Sequence, residues 1–86
     1  MSLRMVSWAL SVPDIRTDDK FVLASMGAWA DEDGRVFSSL APLANRCSLP
    51  EQELRGILMR LASRGLVDLA HYCEADDFQV TLTPGS

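Results

Sequence analysis

The chain has 86 residues, of which 48% are apolar and 23% charged, and a formal net charge of −4. This is the composition of a single globular domain spanning residues 1–86, and it argues against a disordered chain or a second domain. No uncharged stretch approaches the roughly 20 residues that a membrane span needs, so we expect no membrane segment. Two cysteines are too few for a disulfide framework, so we expect reduced thiols and a cytoplasmic protein.

The first 17 residues predict an extended arm or edge strand. Apolar and polar residues alternate weakly from Ser7 to Val12, and Pro13 ends the pattern because it cannot donate a hydrogen bond to a neighbouring strand. We expect Trp8 to anchor this arm on the core, as Trp29 anchors the segment that follows, rather than to stack on a nucleic-acid base.

A first helix is predicted from Asp18 to about Ala30. Thr17 offers a hydroxyl as the N-cap, and Asp18 and Asp19 then occupy the first turn, where the helix dipole favours negative charge. A broad apolar face follows at helical spacing. Its members are Phe21, Val22, Leu23, Met26 and Trp29.

The segment 31–35 predicts a turn, because three consecutive acidic residues suit a helix interior poorly and Asp33-Gly34 is a strong turn pair. It lacks the spaced ligands of a calcium loop, so we interpret it as a solvated turn. A very short strand is expected at Val36-Phe37.

A second, short helix is expected next, with Ser38 or Ser39 as its cap and Pro42 in its first turn, where a missing N–H costs little. Its apolar residues are Leu40, Leu43 and Ala44. The polar stretch 45–48 predicts a break after it.

The clearest periodic signal lies between Pro50 and Arg64, where apolar residues recur at i, i+3, i+4, i+7 and i+8. They are Leu54, Ile57, Leu58, Leu61 and Ala62. This pattern predicts a third helix, and Gly65 lies where a C-terminal glycine cap belongs.

The remaining residues predict a β-hairpin over 66–83. Strands are expected at 66–71 and 78–83, with a polar turn at 73–77, and the inward row is Phe78, Val80 and Leu82. One hairpin alone is marginal in water, so it must pack on the helices. The predicted fold is therefore α+β: a winged helix-turn-helix with a three-helix core at 18–65 and a C-terminal wing.

The central segment 39–65 is the one net-positive part of the chain, with four arginines against two glutamates for a charge of +2. The second helix of a helix-turn-helix presents its exposed face to the DNA major groove, where Gln pairs with adenine and Arg with guanine. Gly56 would let a DNA backbone or phosphate approach the helix closely. Ser39, Arg46 and Arg60 suit phosphate contacts. The predicted DNA-binding residues are Ser39, Arg46, Gln52, Arg55, Gly56, Met59 and Arg60.

The same helix supports an alternative, a protein-interaction adaptor or dimerisation module. Glu51 and Glu53 repel phosphate, and Glu51 is also spaced to pair with Arg55. An outward Met59 suits a protein contact better than a base. The predicted wing is acidic, which disfavours a DNA backbone.

Several motifs occur together: an Ala30-Asp31-x-Asp-Gly turn, an aromatic residue and serines before the second helix, and Arg64-Gly-Leu-Val at the start of the wing. With these motifs and with the stretches 7–13, 20–23, 40–44 and 54–61, the chain resembles phage and prophage helix-turn-helix proteins, including the N-terminal domains of replication-initiation proteins. The resemblance covers residues 7 to about 70. The resemblance implies binding of double-stranded DNA in transcription regulation or replication, often as a dimer or as one domain of a longer initiator. The chain departs from it at Arg55-Gly56, where two adjacent basic residues are common, and at Met59.

Enzyme interpretations have little support. His71 and Cys73 share one face of a strand, but a zinc site needs further ligands in pairs such as Cys-x-x-Cys, and a Cys–His nucleophile needs an orienting third group. There is no glycine-rich phosphate loop. We therefore expect no catalysis, no metal and no cofactor.

Overall fold

The computed structural model describes residues 3–72 and 77–83, which form four helices and one antiparallel sheet of three strands. This confirms the predicted α+β class. The helices are α1 (Leu3–Ser11), α2 (Thr17–Trp29), α3 (Leu40–Cys47) and α4 (Glu51–Ser63). The strands are β1 (Arg35–Ser39), β2 (Val67–Tyr72) and β3 (Asp77–Leu82).

The segment predicted as an extended arm is the helix α1, so that prediction is wrong. Met5, Ala9 and Val12 are all buried, and their spacing of four and three residues follows the helical period rather than the weak alternation. α1 packs against α2 at Gly27. A Cβ atom on Gly27 would lie 3.0 Å from the backbone carbon of Met5 and 3.0 Å from the nitrogen of Val6, so any larger residue would require the two helices to move apart by a few tenths of an ångström.

The helix α2 begins at Thr17, which is its first helical residue and not the predicted N-cap. Arg16 holds the N-cap position, and its carbonyl accepts the N–H of Lys20 at 2.9 Å. The two acids lie in the first turn as expected. Phe21, placed on the apolar face by sequence, is 53% exposed. The buried residues of α2 are Asp19, Val22, Leu23, Met26 and Gly27.

The helix α3 continues to Cys47, so the break predicted at 45–48 is wrong for its first three residues. Cys47 is buried on the same face as Leu43 and Ala44, and this burial extends the helix through a polar stretch. The helix ends at Ser48, whose φ is 57°. There the Leu49 N–H donates to the carbonyl of Ala44 at 2.9 Å, which closes a left-handed C-terminal cap.

The helix α4 has the predicted ridge: Leu54, Ile57, Leu58 and Leu61 are all buried. Its cap is also confirmed. Gly65 has a φ of 74°, and the Leu66 N–H donates to the carbonyl of Leu61 at 3.0 Å. The left-handed conformation favours glycine there because it has no Cβ.

The sheet has the order β1-β3-β2, so the last strand lies between the other two. Val36 pairs with Val80 across β1 and β3, and both are fully buried, as is Leu82. The predicted inward row is thus confirmed at Val80 and Leu82, whereas the side chain of Phe78 lies outside the described part of the chain. Of the turn predicted at 73–77, residues 73–76 also lie outside that part, and Asp77 is the first residue of β3, so the prediction is wrong there.

The turn before β1 forms as predicted. The Asp31 carboxylate Oδ1 accepts the backbone N–H groups of Asp33 and Arg35, each at 2.9 Å, and Gly34 has a φ of 81°. β1 itself runs two residues further than the predicted Val36-Phe37, up to the start of α3.

Two basic side chains tie the connection between α1 and α2 to the rest of the protein. Lys20 Nζ donates to the carbonyl of Leu10 at 3.2 Å. Arg64, just after α4, donates through Nη1 to the carbonyl of Asp14 at 2.8 Å and through Nη2 to that of Pro13 at 3.5 Å. The first bond ties α2 to the end of α1, and the two bonds of Arg64 tie the end of α4 to the segment between α1 and α2.

Candidate nucleic-acid interface

The outward face of α4 is the candidate interface. The buried ridge fixes one side of the helix against the core, which leaves the opposite side to solvent. An uncharged stripe runs along the middle of that side and is flanked by one arginine on each edge. It consists of Gln52, Gly56, Met59 and Ser63, with Arg55 on one edge and Arg60 on the other.

Arg55 is the unpaired cation of this face. It is exposed, and within residues 3–72 and 77–83 it has no ion-pair partner, so the Glu51–Arg55 pair considered from sequence does not form there. Its guanidinium keeps its full donor capacity for an external acceptor. Gln52 is exposed one turn earlier on the same side of the helix.

Arg60, predicted from sequence as a phosphate contact, is paired with Asp19 of α2. Its Nε donates to Oδ2 at 3.1 Å and its Nη2 donates to Oδ1 at 2.9 Å. Asp19 is 4% exposed and is the one buried polar or charged residue in the described part of the chain. The hydrogen bonds with Asp19 raise the pKa of Arg60 further above its ordinary value, with the charges of Asp19 and Asp18 adding to the effect.

Arg46 also has an internal partner. Its guanidinium carbon lies 4.3 Å from the ring centroid of Trp29, which is a cation–π contact between the ends of α3 and α2. Arg46 is exposed nonetheless, so the ring holds the charge in place at the surface. The side chain of Ser39, also predicted to contact DNA, lies outside the described part of the chain.

An apolar groove of about 220 Å³ lies between α4 and β2. Its lining residues are Arg55, Leu58, Met59 and Leu69. Met59 is 66% exposed at its edge. Such a groove accepts a methyl group or an apolar side chain, with Arg55 available beside it for a hydrogen-bond acceptor.

A polar cleft of about 360 Å³ lies on the other side of the outward stripe, between the start of α2 and α4. Its charged residues are Arg16 and Arg60 against Asp18 and Glu53. The two signs balance, so this cleft does not extend the positive charge of Arg55.

Metal ligands and the Cys47 thiol were the remaining candidate groups in the described residues. No group of three His, Cys, Asp or Glu side chains is placed there to hold a metal ion. Burial raises the pKa of the Cys47 thiol, against the opposing effects of a hydrogen bond with Ser25 and the charge of Arg46, so the thiol is held in its unreactive neutral form. The side chains of His71 and Cys73 lie outside the described part.

Sequence reasoning missed Asp19 as a functional candidate. Asp19, Val22, Leu23 and Met26 follow the spacing i, i+3, i+4 and i+7, which puts the carboxylate on the buried face of α2. The signal was therefore present in the sequence. It was interpreted only as a favourable charge at the start of a helix.

Comparison of the chain with models of protein families, with curated proteins and with solved structures found no match. Among the described residues, no helix has the length and apolar character required to cross a bilayer.

Proposed function

We propose that this chain is a winged helix-turn-helix domain that binds double-stranded DNA through the outward face of α4. The order of elements supports the fold: α2, β1, α3 and α4 are followed by a hairpin whose second strand pairs with β1. α3 and α4 are joined by Ser48–Pro50, which is the short connection of a helix-turn-helix.

The single observation that carries the proposal is the unpaired, exposed Arg55 beside Gln52 on a helix whose other side is fixed by the core. In the major groove Arg55 binds guanine O6 and N7, and Gln52 binds adenine N6 and N7. Gly56 and Met59, on the same face of the helix, allow α4 to approach the DNA closely. Arg46 and Arg60 contact the phosphates on either side, each held by its internal partner.

The biological role follows from the resemblance in sequence to phage and prophage helix-turn-helix proteins. It favours regulation of transcription or initiation of DNA replication in the cytoplasm, without catalysis or cofactor. Binding as a homodimer would place two copies of α4 in successive major grooves, one helical turn apart.

The test is binding of a fluorescent random-sequence duplex at low salt, where electrostatic contact is strongest. We expect binding by the wild type, and Arg55→Gln weakens it about tenfold or more. Arg35→Gln is the matched control, since it removes the same charge from an exposed position on β1 and leaves affinity within about twofold. Absence of wild-type binding refutes the proposal, as does equal loss in both variants.

A second candidate function, a protein-interaction adaptor, is favoured by one specific observation. The groove beside Met59 is apolar, and the polar cleft on the opposite side has no net positive charge. Light scattering together with the DNA assay separates the two functions. A stable oligomer that dissociates on Met59→Lys, in a chain that binds no DNA, supports the adaptor.

A further inference from the structure

Asp19 is a buried carboxylate on the apolar face of α2, in the first turn of the helix. It lies 41 residues from its partner Arg60 in the sequence. Burying a charge is unfavourable unless it is paired and hydrogen-bonded. The pair with Arg60 meets that need, but it also fixes the guanidinium in one orientation.

The orientation leaves one end of the guanidinium free. Asp19 uses the Nε and Nη2 donors, so both N–H groups of Nη1 and one of Nη2 remain available. Nη1 lies 3.8 Å from the position that a Cβ atom would occupy on Gly56. Among the described residues, and apart from residues 55 and 57 and the nearby helix backbone, it is the one heavy atom within 4 Å of that position. Nη1 thus lies close to the backbone of α4 at Gly56, in the polar cleft whose lining also includes Asp18 and Glu53.

We propose that Asp19 is a positioning residue that holds Arg60 over Gly56, so that the free guanidinium edge binds one backbone phosphate of duplex DNA. The inference rests on the proposed function and adds to it the phosphate seat, made of Asp19, Gly56 and Arg60. The remaining N–H groups match the spacing of two phosphate oxygens. The fixed orientation lowers the entropic cost of binding.

Simple electrostatics predicts the opposite role for Asp19, and this makes the seat testable. A carboxylate near a phosphate repels it, so Asp19→Asn, which adds one unit of positive charge, should tighten DNA binding if Asp19 only neutralises Arg60. If Asp19 positions Arg60, the same variant loses one of its two hydrogen bonds to the guanidinium and weakens binding.

The experiment measures the dissociation constant for a random-sequence duplex over a salt series. Arg60→Gln is expected to weaken binding about tenfold and to reduce the slope of log K against log salt by about 0.9, the value for one phosphate. Asp19→Asn is expected to weaken binding about threefold despite its added charge. Gly56→Ala is expected to weaken binding about threefold by filling the seat, without loss of fold.

Arg35→Gln serves again as the charge control, and circular dichroism melts verify folding. If Asp19→Asn is unfolded, Gly56→Ala carries the test of the seat, because its methyl lies at an ordinary contact distance of 3.8 Å from Arg60 Nη1. Tighter binding by Asp19→Asn overturns the positioning role. A salt slope that Arg60→Gln leaves unchanged overturns the phosphate assignment. If DNA binding depends on Arg55 and not on Arg60, the phosphate seat is refuted and the proposed function stands. If the wild type does not bind DNA, both the seat and the proposed function are refuted.

Discussion

Two helical glycines make a matched pair in which substitution by alanine should have opposite effects on stability. Alanine favours a helix interior over glycine by about 0.8–1.0 kcal/mol, and this gain applies to both Gly27→Ala and Gly56→Ala. The surroundings of the two positions differ. The new methyl at 56 lies 3.8 Å from Arg60 Nη1, an ordinary van der Waals distance, whereas at 27 it lies 3.0 Å from backbone atoms of Met5 and Val6.

For Gly27→Ala, the free-energy cost of the close contact exceeds the gain in helix propensity. Backbone atoms cannot rotate away as a flexible side chain does, so α1 as a whole must shift from α2. Overpacking of this kind costs about 1–3 kcal/mol, and a rigid neighbour places this site near the upper end. After subtraction of the propensity gain, we expect a net loss of about 1–2 kcal/mol. In a domain of this size that lowers the melting temperature by roughly 5–15 °C.

For Gly56→Ala we expect the propensity gain nearly in full, about 0.5–1 kcal/mol, and a melting temperature a few degrees higher. Urea denaturation followed by circular dichroism measures both variants, with unchanged m values as the sign that two-state unfolding persists. The reasoning is refuted if both variants gain stability alike, because propensity alone would then decide and α1 would not be packed on α2 at Gly27.

Three further predictions concern single residues. Ser48→Gly should raise the free energy of unfolding by about 0.5 kcal/mol in urea titrations, because Ser48 has a φ of 57° and glycine adopts it without strain; a loss of stability would contradict the left-handed cap. Asp31→Ala should cost about 1–2 kcal/mol in the same assay, since two backbone N–H groups lose their acceptor, whereas Asp33→Ala, which removes no such bond, should cost less. Because burial raises the pKa of Cys47 above its ordinary value of 9.0, the folded chain holds that proton more tightly than the unfolded chain. Its contribution to stability is therefore complete below pH 9 and falls as the pH rises further, and urea midpoints at pH 8 and 10 should differ less in Cys47→Ala than in the wild type.

The helix α4 and its glycine cap were predictable because the local signals agree. Four buried residues recur at the helical period, and a glycine lies at the position that the C-terminal cap requires. Both signals predict the same helix. α1 was not predictable, because alternation and helical spacing both fit a window as short as 7–12. The burial of Met5 and Ala9 against α2 decides between them, and that contact is tertiary.

The candidate site likewise has a part that was predictable from the sequence and a part that was not. The outward position of Gln52 and Arg55 follows from the buried ridge of their own helix, so the sequence was sufficient. The pairing of Arg60 with Asp19 depends on how α2 and α4 dock, and residues 41 apart carry no local signal for it. Arg46 over Trp29 is a second contact of this kind.

The position of β3 in the sheet has a consequence for biosynthesis. β1 and β2 are not neighbours, and each is hydrogen-bonded to β3 alone. A growing chain therefore completes all four helices while its first two strands still lack any partner, and the sheet closes only after residues 77–82 have left the ribosome. Until then both strands present open edges, which is the interval in which a nascent chain is most exposed to intermolecular pairing.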